Sequence, residues 1–128
     1  MIKKALLPVV VLMLCFCTGR GDAGRLQAFR TAAEAGDSAA ENSLGVYYQL
    51  GLGVEQNDME AVKWFRLAAN QSNGEAQFNL GEMYEQGRGV EQNLSIAISW
   101  YKKSCENKCK CGCRRYHALF DDTGKQKP

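Results

Sequence analysis

The residues with the greatest chemical capacity crowd near the C-terminus. Cys105, Cys109, Cys111 and Cys113 lie close together, and His117, the only histidine, follows shortly after. Such a cluster could do three things. Thiols pair as disulfides in an oxidising compartment, and four cysteines allow three pairings. Thiolates joined by an imidazole could instead hold zinc in a tetrahedral site. The spacing C-x3-C-x-C-x-C is not a usual zinc pattern, however, and His117 falls where a helix-packing residue is expected. Reactive thiol chemistry is the third route, because Lys108, Lys110, Arg114 and Arg115 would lower thiol pKa values. Disulfides are the expectation, and no metal ligand is assigned.

Other catalytic patterns are weak. Ser99-Trp100-Tyr101-Lys102 forms an S-x-x-K string, which a serine penicillin-recognising enzyme needs at a helix start. Here it falls inside a helical pattern, and Lys102 aligns with Arg66, an ordinary exposed position. The companion strings of such an enzyme are missing. Gly51-Leu52-Gly53 and Gly87-Arg88-Gly89 have no strand before them and no Gly-Lys-Ser/Thr after them, so they read as turn glycines rather than phosphate loops. No Ser/His/Asp set can be built around His117. The sequence therefore predicts no catalytic residue and no cofactor.

The elements that carry these residues repeat. Ala40–Phe65 and Ala76–Tyr101 match at Ala40/Ala76, Leu44/Leu80, Gly45/Gly81, Tyr48/Tyr84, Gly51/Gly87, Gly53/Gly89, Ala61/Ala97 and Trp64/Trp100. The run Val54-Glu55-Gln56-Asn57 recurs as Val90-Glu91-Gln92-Asn93. Every pair is about 36 residues apart, a period that means stacked supersecondary units. Each unit reads as two helices. Ala40, Leu44, Tyr47 and Tyr48 recur at helical spacing, and Gly51 stops the first helix. Gly53 lets the loop turn, and Val54 tucks it onto the core. Asn57 is a good N-cap, with Glu60 completing a capping-box-like pattern. Ala61, Trp64, Phe65 and Ala68 then form one apolar face. Trp64 and Trp100 are expected to fill the space between helices in one continuous interior. The small Gly45, Gly81, Ala61 and Ala97 allow close approach.

The pattern extends outward. Phe29, Ala32 and Ala33 precede Phe65, Ala68 and Ala69 by one period, so residues 25–35 read as a lone second-type helix. Tyr116 and Phe120 follow Leu80 and Tyr84 by one period, so residues 112–121 read as a lone first-type helix. The fold class is all-α, a right-handed solenoid of helix-turn-helix repeats made of a half, two full and a half unit. So small a core needs help at its capping helix.

Of the 128 residues, the first 23 read as a cleaved export signal. Lys3 and Lys4 precede the apolar stretch Ala5–Phe16, which is shorter than the roughly 20 residues that span a bilayer. Cleavage after Ala23 is expected, with Gly19 as the rival. Cys15 and Cys17 follow Leu14 and Phe16 rather than small residues, which disfavours a lipoprotein. The repeat domain then occupies residues 24–121, and residues 122–128 read as a flexible tail. A net charge of +2 makes no case for nucleic acid. The charge is uneven: residues 24–101 carry a net negative charge, while residues 102–128 carry a net positive one. The plain reading is a solvated basic tail; the alternatives are docking on the acidic body or on an anionic partner.

The motif A-x3-LG-x2-Y-x2-G-x-GV followed by A-x2-W-F/Y resembles the Sel-1-like repeat, a relative of the tetratricopeptide repeat, across residues 25–121. Cys105 and Cys113, in C-x7-C with Gly112 before the second, resemble the exported cysteine-rich branch of that family. The resemblance implies a Cys105–Cys113 disulfide, which leaves Cys109 and Cys111 as a second pair in a small, strained and reducible ring. Two departures stand out. Ala69 and Gln77 hold the corresponding positions in the first full unit. Tyr116-His117 replaces the usual Leu-Gly, so the last helix should pack less tightly.

Stacked helical hairpins display the side chains of their first-type helices on a curved surface. Ser43, Tyr47, Asn79 and Met83 are the positions expected to face it, with helix packing as the competing reading for Tyr47 and Met83. The leading expectation is a non-enzymatic, exported, bacterial-type module. It would be a periplasmic or secreted monomer that holds a protein or peptide partner, with no nucleic acid and no stable membrane span. The resemblance also admits β-lactam binding or hydrolysis, and the cysteines admit a metal- or redox-active tail on the scaffold.

Overall fold

Asp and Asn start most of the helices, and glycine ends the first helix of each full unit. The computed structural model describes residues 21, 23–120, 125 and 128. Helix α1 covers residues 23–34. It is followed by α2 (Ser38–Leu50), α3 (Asp58–Asn70), α4 (Gly74–Gln86), α5 (Leu94–Glu106) and α6 (Lys110–Leu119). The half, two full and half units are all present, each lone helix beginning about two residues earlier than the periodicity predicts. The fold is an all-α solenoid. No helix among the described residues is long and apolar enough to cross a membrane. The expected signal lies outside the described residues except for positions 21 and 23. The expected tail does so except for 125 and 128.

The caps follow from local chemistry. The Asn57 side chain accepts from the Glu60 amide at 3.1 Å, and Asn93 accepts from Ile96 at 3.0 Å. The reciprocal half of the capping box does not form. The Glu60 carboxylate instead takes a 2.8 Å bond from Lys63 one turn on, because an exposed ammonium at i+3 is within easy reach. Gly51 and Gly87 close α2 and α4 at φ 68° and 65°, a left-handed backbone that a Cβ would disfavour.

Packing repeats with the same period. Leu44, Phe65, Leu80 and Tyr101 are fully buried. A Cβ added at Gly45 would come to 2.6 Å from the Phe65 ring, and one at Gly81 to 2.6 Å from the Tyr101 ring. Each ring therefore lies directly on the backbone of the preceding first-type helix. Burying a ring this size is worth about 2–3 kcal/mol.

The tryptophans occupy a shallower place than the sequence suggests. Both are half-buried. Trp64 packs against the cluster of Leu26, Ala33, Ala40 and Leu44, and Trp100 against the next cluster, built on Phe65, Leu80 and Met83. The two clusters are successive layers, and Tyr48 packs against both. The deepest aromatic position is the one after each tryptophan.

Candidate functional site: the face of the first-type helices

Helices α2, α4 and α6 carry equivalent positions one period apart. Ser43, Asn79 and Arg115 make one column; Asn42, Phe78 and Arg114 make the next. Asn79 donates from Nδ2 to Asn42 Oδ1 at 2.9 Å, linking the columns across adjacent units. Ser43 is half-exposed and its hydroxyl donates to the Ala39 carbonyl at 2.9 Å. Phe78 is half-buried with its ring 5.6 Å from Tyr101. Together with Cys111, Arg114, Arg115 and Ala118 it lines an open cavity of about 230 Å³ between α4 and α6.

One of the expected surface positions is corrected. Met83 is fully buried, and Gln49 Nε2 on α2 sits 3.6 Å from its sulfur. The neighbouring first-type helix covers it, so it is a packing residue. Tyr47, its equivalent in α2, is half-buried, with its ring edge-on to Phe29 at 5.3 Å. Ser43 and Asn79 keep polar atoms at the face.

Electrostatic order centres on Glu85. Its carboxylate accepts from Arg115 on α6 and from the Tyr101 hydroxyl, the latter at 2.5 Å. Burial pushes the Glu85 carboxyl upward, but the hydrogen bonds from Arg115 and Tyr101 outweigh it and hold it below the usual range. Burial, then the neighbouring Glu85 charge, pushes Glu82 up. Burial, reinforced by the bond to Glu85, drives the Tyr101 phenol well above its ordinary value. Arg88 makes a two-pronged pair with Asp58, at 2.8 and 3.1 Å, tying the second loop to α3. Sequence reading missed the Glu85 and Asp58 pairs, since neither repeats in the other unit. The period does mark Asn42 and Phe78, which were also missed.

The junctions between units show three solutions at one place. Cys105 is bonded to Cys113 across the α5–α6 turn. One period earlier, Gln77 is buried and donates from Nε2 to the Ala69 carbonyl at 3.0 Å. Another period earlier stand Ala33 and a buried Glu41. Gln77 Oε1 accepts from Asn107, as Glu41 accepts from Gln71. Cys109 is bonded to Cys111, so the four sulfurs are held in pairs.

Ser99 and Lys102 line an open groove with Ser95, Ile98, Tyr116 and Phe120. The Ser99 hydroxyl is turned to its own helix, donating to the Ile96 carbonyl at 2.7 Å. His117 is exposed and its ring packs edge-on to Tyr116.

The Sel1 repeat family model matches residues 38–73 and 74–109, which are the two full units and more than half of the chain. The chain belongs to the Sel1 repeat family. This Sel1 repeat protein resembles a Sel1 repeat protein of Oxalobacter formigenes, with 32% identity and a TM-score of 0.71, over 88% of this chain and 49% of that one. It is also similar to a protective antigen of uropathogenic Escherichia coli with an SLR fold. There the identity is 35% and the TM-score 0.70, over 73% of this chain and 20% of that one. It thus spans about a fifth of the antigen and half of the Oxalobacter protein. The cysteine rich protein B of Helicobacter pylori shares the fold, at 22% identity and a TM-score of 0.67, over 70% of this chain and 68% of that one. No curated protein matches the sequence.

Proposed function

We propose that this Sel1 repeat protein is an exported, non-enzymatic monomer that holds one protein or peptide partner on the face of α2, α4 and α6. Sel1 repeats serve as protein-binding scaffolds, which supports the coarse reading. The observation that carries the finer one is the amide pair of Asn42 and Asn79. Asn42 is buried and fixes the half-exposed Asn79, whose remaining amide hydrogen and carbonyl oxygen could exchange hydrogen bonds with an extended backbone. Arg114 and the exposed Lys108 and Lys110 make the α6 end basic, so the partner would place its acidic end there. Four paired cysteines favour a periplasmic or secreted location.

Site-specific photocrosslinking tests the face. A crosslinker at Ser43 or Asn79 should capture one envelope or extracellular protein, and one at the exposed Lys63 or Leu67 of α3 should not. Capture from α3 alone would remove the first-type face as the binding surface. Recovery of the protein in the cytoplasm with free thiols at Cys105 and Cys113 would remove the export reading.

A further inference from the structure

The two disulfides hold very different things. Cys105–Cys113 joins α5 to α6 beside a close approach of those helices, where Gly112 lies on the fully buried Ser104. Cys109–Cys111 joins two residues of one segment with a single residue between them. Closing so short a loop removes almost no chain freedom, so this bond constrains little of the fold. Opening it would leave the stack stapled by the other pair.

Cys109 also stands in an unusual place. It is the N-cap of α6, with φ −78° and ψ 112°. Its equivalents one and two periods earlier are Asn73 (φ −70°, ψ 107°) and Asp37 (φ −74°, ψ 110°). The backbone conformation is the same at all three. Asp37 accepts from the amides of Ala39 and Ala40, and Asn73 from that of Ala76. Cys109 makes no side-chain cap bond. Its sulfur is held in the disulfide instead. Released as a thiolate, it would occupy the position where Asp37 carries its carboxylate, facing the amides of Cys111 and Gly112 at the positive end of the helix. Exposed Lys108 and Lys110 flank it. Such surroundings lower a thiol pKa and make the sulfur a good leaving group.

Both cysteines are partly buried, but their surroundings differ. Cys109 packs against the start of α4, where a Cβ on Gly74 would come to 3.1 Å from its own Cβ. Cys111 lines the open cavity between α4 and α6, beside Phe78, Arg114 and Arg115. An incoming thiolate would meet a cationic, partly apolar mouth at Cys111.

We propose that Cys109–Cys111 is a thiol–disulfide exchange site that oxidises an accessible dithiol, a peptide or protein segment with two neighbouring cysteines. A substrate thiolate attacks Cys111 Sγ. A substrate–Cys111 bond forms, the Cys109–Cys111 bond breaks, and its electron pair leaves on Cys109 Sγ as the helix-capping thiolate. The second substrate thiolate then attacks the substrate sulfur of the mixed disulfide. The substrate leaves as a disulfide, having lost two electrons, and the protein keeps Cys109 and Cys111 as a reduced pair, with a proton taken up by Cys111. The exchange is stoichiometric, one dithiol per chain with no turnover, so it stands beside the non-enzymatic partner-binding role and needs no residue of the Asn42–Asn79 face.

The test uses the oxidised full chain with reduced glutathione as the probe, quenched in acid, alkylated and mapped by mass spectrometry. Cys109–Cys111 should open at least tenfold faster than Cys105–Cys113, with the first glutathione adduct on Cys111. Equal opening of the two pairs, or first adducts on Cys105, Cys109 or Cys113, would overturn the assignment. With a synthetic dithiol peptide, one peptide disulfide should form per chain, and none with Cys109→Ser/Cys111→Ser. Undiminished peptide oxidation by that double variant would overturn it too. A separate readout addresses the cap. In Cys111→Ser, the Cys109 thiol should ionise below the ordinary value near 8.5, and ionisation at or above that value would defeat the leaving-group argument.

Discussion

Gln77 donates its side-chain amide to the Ala69 carbonyl at 3.0 Å, at the junction that Cys105 and Cys113 close by a covalent bond one period later. A buried hydrogen bond and a disulfide thus perform the same task in consecutive units. Both hold the end of one second-type helix to the start of the next first-type helix.

The exchange suggests how each can be replaced. Gln77→Ala removes the buried bond to Ala69 and the 2.9 Å bond from Asn107, whose exposed amide keeps its bond to the Lys103 carbonyl. Losing a buried hydrogen bond costs about 0.5–1.5 kcal/mol, and the shortened side chain adds lost packing, so the urea midpoint should fall with an unchanged slope. Ala69→Cys with Gln77→Cys should recover that loss when oxidised and forfeit it again in reductant. A midpoint indifferent to Gln77→Ala would show that the junction is held by something else.

Glu41 occupies the same position in the unit before, and it is the least favourable of the three solutions. It is buried, and burial pushes its carboxyl above the ordinary value; Gln71 partly offsets this and Asp37 adds to it. A raised carboxyl pKa means the folded state prefers the protonated form. The stabilising contribution is complete below the unfolded pKa near 4.3 and is lost as pH rises through the higher folded value. Glu41→Gln should therefore raise stability at neutral pH by about 1 kcal/mol. A glutamine there could still accept from Gln71 and could also donate to the Ala33 carbonyl, as Gln77 does to Ala69. Thermal melts of the two forms should converge as the pH falls toward 4. A constant gap between them at all pH values would contradict the burial argument.

The close seating of rings on glycine gives a prediction with two opposing contributions. Alanine in place of a mid-helix glycine favours the helix by about 1 kcal/mol. At Gly81 the added carbon would lie 2.6 Å from a Tyr101 ring that is fully buried and hydrogen-bonded to Glu85. Overpacking of that kind costs about 1–3 kcal/mol. The ring is held at both ends, so the penalty should win, and Gly81→Ala should melt several degrees lower. Gly45→Ala against Phe65 should behave alike. A higher melting temperature for either would mean that the two helices of a unit move apart freely to admit the added carbon.

Much of this architecture is written in the 36-residue period, because caps, turn glycines and ring-on-glycine contacts are local and recur. Two kinds of feature escape it. The first depends on which helix lies alongside. Met83 and Tyr47 hold equivalent positions, yet Met83 is fully covered and Tyr47 half so, and no pattern within either helix distinguishes them. Trp64 and Trp100 draw attention by size, but Phe65 and Tyr101 take the deepest place because they alone point at the small Gly45 and Gly81. The second kind is a rule met by an unexpected residue. Ser72 and Lys108 adopt left-handed backbone at φ 63° and 66°, where the first junction has Gly36. The same holds for Cys109, a cap residue without the usual oxygen.

The Glu85 cluster makes stability depend on pH from both sides. Hydrogen bonds from Arg115 and Tyr101 overcome burial and hold the Glu85 carboxyl low. A depressed carboxyl pKa contributes stability that is present above the unfolded value near 4.3 and is lost as pH falls through the lower folded value. The Tyr101 phenol is shifted the other way, by burial first and then by Glu85. Its contribution is complete below the ordinary phenol value near 10 and declines as pH rises beyond it. Glu85→Gln should cost about 1 kcal/mol at neutral pH, a modest figure because Arg115 is partly exposed and its pairing is screened by solvent. The gap from the unsubstituted protein should stay level between pH 5 and 9 and shrink below pH 4. Tyr101→Phe should remove the alkaline decline while leaving the acid one. If the gap between the Glu85→Gln and unsubstituted forms instead widened below pH 4, the carboxylate would not be the group held by Tyr101 and Arg115.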